Sequence, residues 1–436
     1  MQSSLNWSNW IDGKERPATG DGWVDKLSPV TGARISRLAR STVEDVQMAV
    51  AAARRAQPQW AAKTPPARGE ILHAVVMALR QNREEVARTV AAETGKSFKA
   101  ALGETDGAIA LGLFYSGEGQ RLYGRTTTSG VPHRQASLIR EPIGVAGLII
   151  AANTPIANVA WKVFPALICG NTAVLKAAED TPGTAALFAR LAHEAGLPPG
   201  VLNVIQGLGL EAGAPLVAHP DVDVISFTGS TSVGREIAAV AGRRLARVSL
   251  ELGGKNALVV CDDADLDNAV KWTLLSAFSN AGQRCAAASR IIVFDAVYDR
   301  FRAALVSGAQ QLKLGPEDGD DLGPVINERQ LNNMLRHVEL ATKAGAKIVV
   351  GGQRLVDDDH RNGFYMAPTF VEQVAADAEV SRTELFGPIA CLYRVQNFAE
   401  ALALANDSPY GLTACIHTRN LNRALTFTTQ VKSGVV

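Results

Sequence analysis

Apolar strand patterns alternate with helix patterns between Ile143 and Gly254, and this alternation restricts the chain to few folds. Five strands are predicted, at 144–152, 172–177, 201–207, 222–229 and 247–254. A helix is predicted over 181–195, because Thr181-Pro182 is typical of a helix start and Gly196 of a helix end. Strands that are apolar almost throughout are buried on both faces, so the pattern predicts a parallel sheet covered by helices. Ligands bind such sheets beyond the carboxyl ends of the strands.

The residues before this sheet carry mainly helix patterns, after a first segment of loops and short strands that ends near Pro29. Helices are predicted over 44–60, 67–94 and 100–120, and their polar residues are interpreted as a solvated face. Between 123 and 140, Thr, Ser and Gly residues predict a two-stranded ribbon, which could pair with another subunit or be a surface hairpin.

A second α/β series follows Gly254. Its helices are predicted at 266–278, 298–312, 327–343 and 398–406, and its strands at 289–294, 347–350, 389–394 and 413–417. The chain stops at Val436 just where another strand is expected to begin, so residues 431–436 are interpreted as the start of a truncated C-terminal segment.

Length, charge and cysteine usage exclude several classes of protein. A chain of 436 residues is expected to form two or three domains, and a net charge of +1 gives no attraction to nucleic acid or anionic membranes. The longest apolar run, 145–152, is too short to span a bilayer, and the N-terminus lacks a secretory signal pattern. Five scattered cysteines without metal-ligand spacing favour a reducing compartment and no metal site, so a cytoplasmic protein is expected.

The segment 279–287, SNAGQRCAA, contains the cysteine with the most informative surroundings, Cys285. It lies between a predicted helix and a predicted strand, and Gly282 favours a loop there. The cation of Arg284 beside the thiol would favour the thiolate, which is the nucleophilic form. The alternative is that Cys285 is a small buried apolar residue.

Two glycine-bearing turns follow strands of the predicted parallel sheet. The first runs from Gly207 through Gly209 to Gly213 and resembles a dinucleotide fingerprint with one extra residue, although an ordinary strand-to-helix turn would look the same. The second contains Gly229 and Ser230 and opens a helix directly after a strand, where backbone N–H groups suit a phosphate.

Lys176 and Glu179 stand at the end of strand 172–177, on the side of the sheet where ligands bind. Their ammonium and carboxylate groups could hold ribose hydroxyls. Together with the two turns, this pair favours dinucleotide binding.

Two further residues complete a possible catalytic set. Glu251 ends the last strand and could serve as a general base, and the amide of Asn153, after the first strand, could donate to an oxyanion. Taken alone, each is better explained by a structural role, such as a surface salt bridge for Glu251. Together with a thiol nucleophile at Cys285 and a dinucleotide site, they match aldehyde oxidation: thiolate addition, hydride loss, and hydrolysis of the resulting thioester.

The order of several motifs is similar to that of the aldehyde dehydrogenase superfamily over essentially the whole chain. These motifs are ETGK (93–96), REPIGV (140–145), the Asn153 segment, GNTAVLKAAEDTP (170–182), FTGSTSVG (227–234), LELGGKN (250–256), NAGQRC (280–285) and ELFGP (384–388). The resemblance implies that Cys285 is the nucleophile, Glu251 the general base and Asn153 the oxyanion donor.

The resemblance also implies NAD as cofactor, with NADP possible, and Glu384 on the nicotinamide ribose. The implied cofactor contacts are Lys176, Glu179, Gly209, Gly213, Phe227, Gly229, Ser230, Val233, Leu252, Glu384 and Phe386. The implied fold is a Rossmann-like cofactor domain (1–118 and 141–253), a second α/β catalytic domain (254–430) and a β-ribbon (119–140) that pairs with another subunit in a homodimer or homotetramer.

The residues around Asn153 depart from the family pattern, since Ala152 and Thr154 replace the usual Trp and Phe. A helix beginning near residue 155 would place Thr154, Asn158 and Trp161 roughly on one face, which in similar enzymes lines the substrate tunnel. With Arg284 beside the nucleophile, this suggests a polar aldehyde such as a semialdehyde. The alternative is that these polar positions are incidental and Arg284 points away.

The same residues bear on the cofactor and on alternative functions. Glu179 favours NAD over NADP, because a carboxylate repels a 2′-phosphate. A CoA-acylating dehydrogenase would need no water-activating base, so Glu251 argues against it. A cysteine-dependent esterase leaves the dinucleotide turns unexplained, and a non-catalytic structural protein leaves Cys285, Glu251 and Asn153 unexplained.

Overall fold

The computed structural model describes residues 5–436, which form two compact units. The first unit comprises residues up to Leu27, 34–93 and 98–251, and the second comprises 28–33, 94–97 and 252–436. The domain boundaries expected from the sequence differ, since they assign 28–33 and 94–97 to the cofactor domain. The backbone N–H of Phe364 donates to the carbonyl of Pro29 at 2.9 Å, which ties segment 28–33 to the second unit.

The described part of the first unit contains three sheets and the helices that cover them. Its strands are β1 (Leu5–Trp7), β2 (Asn9–Ile11), β3 (Lys14–Arg16), β4 (Trp23–Leu27), β5 (Arg34–Ala39), β6 (Arg125–Thr128), β7 (Gln135–Leu138), β8 (Val145–Ile149), β9 (Thr172–Lys176), β10 (Leu202–Ile205), β11 (Val224–Thr228) and β12 (Arg247–Glu251). Its helices are α1 (Val43–Ala61), α2 (Pro65–Gln81), α3 (Arg83–Thr94), α4 (Phe98–Glu118), α5 (Pro155–Ile168), α6 (Pro182–Glu194), α7 (Ala214–Ala218) and α8 (Thr231–Arg243).

The predicted parallel sheet is the main sheet of this unit, with strand order β12-β11-β8-β9-β10-β2-β3. Strands β8 to β12 pair in parallel, as predicted, and β8, β9 and β10 are buried along most of their length. The sequence did not predict that β2 and β3 extend this sheet as an antiparallel edge. The helix predicted over 181–195 is confirmed as α6.

The helix predicted over 67–94 is wrong as a single element, because α2 ends at Gln81 and α3 begins at Arg83. Asn82 lies between them, and both its backbone N–H and its side-chain amide donate to the Ala78 carbonyl, at 3.1 and 2.9 Å. An asparagine side chain competes with the backbone for such a carbonyl, which favours a break over a continuous helix.

The second unit is built on one mixed sheet with strand order β15-β16-β17-β14-β13-β18, in which only β15 runs antiparallel to its neighbour. Its strands are β13 (Asn256–Val260), β14 (Ala288–Phe294), β15 (Lys347–Val350), β16 (Thr369–Glu372), β17 (Ile389–Val395) and β18 (Ala414–His417). Its helices are α9 (Leu266–Phe278), α10 (Asp295–Gln311), α11 (Glu328–Lys343), α12 (Glu379–Arg382), α13 (Phe398–Asn406) and α14 (Leu421–Gln430). The sequence analysis missed β13 and β16, which are the strands next to the two edges of this sheet.

The predicted ribbon is present as β6 and β7, which pair antiparallel and are exposed at every residue. Leu138 and Ile139 on this ribbon are exposed large apolar residues. Within residues 5–436, no helix combines the length and the apolar character that crossing a bilayer requires.

Candidate active site

Most of the predicted functional residues of the first unit lie at the carboxyl ends of neighbouring strands. Strands β8 and β9 are in register with Ile149 opposite Lys176, and β11 and β12 are in register with Thr228 opposite Glu251. We call this region the carboxyl edge and define it by Asn153, 176–179, 229–230 and Glu251. The topology therefore gathers candidate catalytic and cofactor residues that are up to about a hundred positions apart in the chain.

The end of β9 carries the predicted ribose pair. Lys176 is buried and its Nζ donates to Glu179 Oε2 at 3.0 Å, while Glu179 itself is half-buried. A buried ammonium that holds a partly accessible carboxylate fits recognition of a ribose diol, whose hydroxyls donate to carboxylate oxygens.

The start of α8 offers a place for a phosphate. Gly229 follows β11, its N–H donates to the Glu251 carbonyl at 3.0 Å, and a Cβ on Gly229 would overlap the ring of Phe227. Ser230 is the N-cap, with its Oγ accepting from the N–H of Val233 at 3.4 Å. Ser230 and Val233 are exposed at the positive end of the helix dipole, which suits a pyrophosphate.

The other glycine turn has an unexpected geometry. Residues Gly209–Gly213 form one π-helical turn that leads directly into α7, and a Cβ on either Gly209 or Gly213 would meet no atom within 4 Å. Packing within the protein therefore does not require glycine at these two positions.

Lys162 on α5 is a candidate site residue that the sequence analysis missed. Its side chain is buried, its Nζ donates to Ser226 Oγ at 2.8 Å, and burial lowers its pKa to about 8 against the opposing influence of the Glu251 carboxylate. A charged residue on the buried side of the apolar helix Pro155–Ile168 was the signal available in the sequence. The carboxylate of Glu251 is exposed, so it can reach a substrate or a water.

The predicted tunnel residues of the first unit do not share one environment. Asn158 is buried and its Nδ2 donates to the carbonyl and the hydroxyl of Thr154 at 3.0 and 3.1 Å, and to Asn153 Oδ1 at 3.5 Å. Asn158 therefore braces the turn that carries Asn153. Trp161 is 57% exposed and lies with Phe114 on an apolar cavity of about 410 Å³ between α4 and α5, a cavity whose lining does not include Thr154 or Asn158.

In the second unit, Cys285 lies in a loop of unusual backbone shape, 279–287, which we call the cysteine loop. Asn280, Ala281 and Gly282 all have left-handed backbone angles, with φ of 54°, 53° and 67°. For a residue with a Cβ, this conformation costs about 1–3 kcal/mol, so surrounding contacts must hold it. Cys285 itself is exposed, which contradicts the alternative of a buried apolar cysteine.

Two amide side chains hold the cysteine loop. Gln283 is buried, and its Oε1 accepts from the N–H of Ile326 at 2.9 Å while its Nε2 donates to Asn280 O at 3.2 Å. Asn256, at the start of β13, donates from Nδ2 to the carbonyls of Cys285 and Ala287 at 2.7 and 2.9 Å. The loop is therefore fixed on both sides of the thiol by hydrogen bonds to its backbone.

In the second unit, the predicted cofactor residue Glu384 makes a hydrogen bond to the backbone. Its Oε1 accepts from the N–H of Gly254 at 3.1 Å, and a Cβ on Gly253 would overlap its carboxylate, which is why a glycine is needed there. Burial raises the pKa of Glu384. Phe386 has a left-handed φ of 54°, and it lines a small pocket with Glu384 and the exposed Arg284. The half-buried Leu252 precedes the two glycines.

Comparison with known proteins identifies the relatives of this chain. Residues 16–436 match the model of the aldehyde dehydrogenase family. Alpha-ketoglutaric semialdehyde dehydrogenase of Bacillus subtilis is 38% identical over 398 residues, 91% of this chain and 82% of that protein. Betaine aldehyde dehydrogenase 1 of Oryza sativa subsp. japonica is 36% identical over 435 residues, 96% of this chain and 86% of that protein.

Solved structures give the same result for the fold. The crystal structure of betaine aldehyde dehydrogenase from Staphylococcus aureus in complex with NAD⁺ superposes with a TM-score of 0.97 at 32% identity, covering 99% of this chain and 87% of that chain. Lactaldehyde dehydrogenase from Escherichia coli superposes with a TM-score of 0.96 at 34% identity, covering 99% and 91%. The Rossmann-like and catalytic α/β architecture predicted from the sequence is thereby confirmed.

Proposed function

Because the chain belongs to the aldehyde dehydrogenase family, we propose that it oxidises a polar aldehyde to the carboxylic acid through a covalent intermediate on Cys285. The observation that carries this proposal is the presence of two regions with suitable chemistry. One is the exposed Cys285 thiol in a loop held by hydrogen bonds, and the other is the carboxyl edge with Asn153, Glu179 and Glu251. A cysteine-dependent esterase would leave the ribose pair and the Gly229 turn without a role.

The reaction begins with the Cys285 thiolate, which bonds to the carbonyl carbon while the carbonyl oxygen takes the electron pair as an oxyanion. The amide of Asn153 and the backbone N–H of Cys285 donate to that oxyanion. NAD, when bound, would supply the acceptor for the hydride that leaves this carbon as the oxyanion electron pair re-forms the C=O bond. The product on the enzyme is a thioester of Cys285.

Release of the acid requires water. Glu251 takes a proton from the water, the hydroxide oxygen bonds to the thioester carbon, and the C–S bond breaks to return the thiolate. A CoA-acylating enzyme would have no use for this carboxylate, so hydrolysis is the proposed fate of the acyl group.

NAD is the proposed cofactor, and NADP is an alternative. Lys176 and Glu179 would hold the adenosine ribose, the α8 start with Gly229, Ser230 and Val233 the pyrophosphate, and Glu384 the nicotinamide ribose. Further contacts are proposed for Gly209, Gly213, Phe227, Leu252 and Phe386. The crystal structure of the Staphylococcus aureus relative in complex with NAD⁺ supports this choice.

A semialdehyde or another polar aldehyde is the proposed substrate class. The relatives include dehydrogenases named for alpha-ketoglutaric semialdehyde, betaine aldehyde and lactaldehyde. Each of these aldehydes carries a polar or charged group in addition to the aldehyde. The proposed contacts with it are Thr154, Asn158, Trp161 and Arg284. A homodimer or homotetramer assembled through the ribbon, and a cytoplasmic location, complete the proposal.

A spectrophotometric panel tests this function. We expect NADH formation at 340 nm with semialdehydes and hydroxyaldehydes, a higher kcat/KM for these than for unbranched alkanals of equal length, and a higher kcat/KM with NAD than with NADP. A panel in which plain alkanals exceed every polar aldehyde would reject the substrate class, and an absence of reduced cofactor with all aldehydes would reject the function.

A further inference from the structure

Helices α5 and α6 begin in the same unusual way. Each follows a strand of the main sheet, and each starts with Thr-Pro, at Thr154-Pro155 and Thr181-Pro182. The two threonines have nearly equal backbone angles, φ −140° and ψ 72° against φ −141° and ψ 56°, and neither makes a side-chain cap hydrogen bond. At α8, by contrast, the N-cap has ψ of 150° and caps its own helix. The first turns of α5 and α6 therefore need acceptors from elsewhere.

A buried glutamate supplies these acceptors at α6. Glu93, the last residue but one of α3, accepts from the N–H of Gly183 at 2.6 Å through Oε1. Its Oε2 accepts from the N–H of Thr184 at 3.1 Å and from the Thr184 hydroxyl at 2.6 Å. Glu93 is 3% exposed, so both carboxylate oxygens are engaged in a dry environment.

A second glutamate does the same at α5. Glu104 on α4 accepts through Oε1 from the N–H of Ile156 at 3.0 Å and from the N–H of Ala157 at 3.3 Å. These are the second and third residues of α5, the positions that Gly183 and Thr184 occupy in α6. The two contacts differ in one respect: both are made through one oxygen of Glu104, whereas Glu93 uses both of its oxygens.

The two helix starts carry different parts of the proposed machinery. Asn153 directly precedes the N-cap of α5, and Glu179 lies two residues before the N-cap of α6. We propose that Glu93 and Glu104 are positioning residues for separate steps, Glu93 for cofactor binding through Glu179 and Glu104 for oxyanion stabilisation through Asn153. This inference rests on the proposed function, because it takes the roles of Glu179 and Asn153 from it.

A second buried side chain, Lys26, contacts the turn before α6. Lys26 on β4 is buried, and its Nζ lies 4.0 Å from Oδ1 of Asp180, the residue between Glu179 and Thr181. Burial lowers the pKa of Lys26, while Asp180 and Glu93 act to raise it. The turn that presents Glu179 is thus held by two buried ionisable side chains, Glu93 and Lys26.

Glu93→Gln tests the proposed role of Glu93 in cofactor binding. An amide can place one oxygen and one NH2 group where two acceptors are needed, so one N–H of the α6 start loses its partner. We expect the Kd of NAD, measured by quenching of protein fluorescence, and the KM of NAD to rise about tenfold, with kcat at saturating NAD within about twofold of wild type. Thr184→Val, which deletes only the hydroxyl donor, should shift the same two quantities by about threefold and keeps the test valid should Glu93→Gln fail to fold.

Glu104 variants test the proposed role of Glu104 in oxyanion stabilisation. Glu104→Ala removes the acceptor of the α5 start, and we expect the NADH burst rate at saturating NAD to fall about tenfold while the Kd of NAD stays unchanged. Glu104→Gln should give a faster burst than Glu104→Ala, because an amide oxygen can still accept from both N–H groups. Asp106→Asn, on the exposed side of α4 where Asp106 pairs with Arg83, is the control and should match wild type.

The pattern across variants decides the outcome. A rise in the Kd of NAD for Glu104→Ala, a slower burst with normal cofactor affinity for Glu93→Gln, or no change in either parameter would overturn the inference. Wild-type protein that binds NAD but oxidises no aldehyde would instead overturn the proposed function, and the effect of Glu93→Gln on NAD affinity would still be measurable.

Discussion

The cysteine loop of the second unit and the carboxyl edge of the first are held in shape by different means. The cysteine loop depends on its backbone: three successive left-handed residues end at Gly282, and amides of Gln283 and Asn256 fix the peptide groups around Cys285. None of the residues that define the carboxyl edge has a left-handed backbone angle, and this edge depends on charged side chains, among them Lys176 and Lys162, which are buried beneath it.

This difference has a chemical consequence. Neutral amides and a glycine hold the nucleophile, so the shape of its loop does not depend on a change of protonation. At the carboxyl edge, by contrast, burial lowers the pKa of Lys162 to about 8, so this edge responds to pH. We therefore expect substitutions in the loop to act on thiol placement at every pH, and substitutions at the edge to act on individual steps and on their pH dependence.

The largest expected effect belongs to the thiol of the cysteine loop. Cys285→Ala should reduce steady-state NADH formation by a factor on the order of 10⁴ or more, because no covalent intermediate can form. Cys415→Ala, at another exposed thiol of the same unit, is the matched control and should keep wild-type activity. Retained activity in Cys285→Ala would show that the nucleophile does not lie in the cysteine loop.

Glu251→Gln tests whether the carboxyl edge contributes the base. Hydride transfer precedes water activation in the proposed reaction, so we expect a burst of one NADH per active site followed by turnover lowered about 10²- to 10³-fold. Stopped-flow absorbance at 340 nm separates the two phases. Normal steady-state turnover, or loss of the burst together with turnover, would contradict a role confined to acyl release.

Gly282→Ala tests the backbone of the cysteine loop. Gly282 has φ of 67°, and an added Cβ would overlap the carbonyl of Gly387. We expect the free energy of unfolding to fall by about 1–3 kcal/mol and alkylation of Cys285 by iodoacetamide to slow, at low and high pH alike. Gly319→Ala, where the added Cβ would meet no atom within 4 Å, is the control. An alkylation rate equal to that of wild type would show that the loop tolerates another backbone shape.

The sequence predicted the residues whose position follows from local pattern. Strand ends, Thr-Pro and glycine turns are local signals, so the parallel sheet, α6 and the loop around Cys285 were predictable, as was the gathering of Glu179 and Glu251 at one edge. The break at Asn82 was missed, since a side chain that competes for a backbone carbonyl leaves no gap in hydrophobic periodicity.

The supporting residues could not be predicted, because their partners are far away in the chain. Glu93 and Glu104 lie on helices whose polar residues were interpreted as solvated, yet they cap helices that begin 89 and 51 positions later. Lys162 acquires its role only when β11 places Ser226 beside it. Long-range hydrogen bonds of this kind depend on topology, which spacing along a sequence does not contain.

Lys162→Met should have the smallest effect and tests the pH response of the carboxyl edge most directly. Since the pKa of Lys162 is lowered to about 8, its ammonium is present below pH 8 and is lost as the pH rises through that value. The positive charge that attracts Glu251 then disappears, so we expect wild-type acyl release to accelerate by about threefold between pH 7 and 9. In Lys162→Met the charge is absent throughout, so this step in the profile should vanish, while Lys63→Met at the exposed Lys63 should keep it. Single-turnover acyl release measured from pH 6.5 to 9.5 provides the check, and a variant profile that superposes on the wild-type one would show that Lys162 does not set the pH response of acyl release.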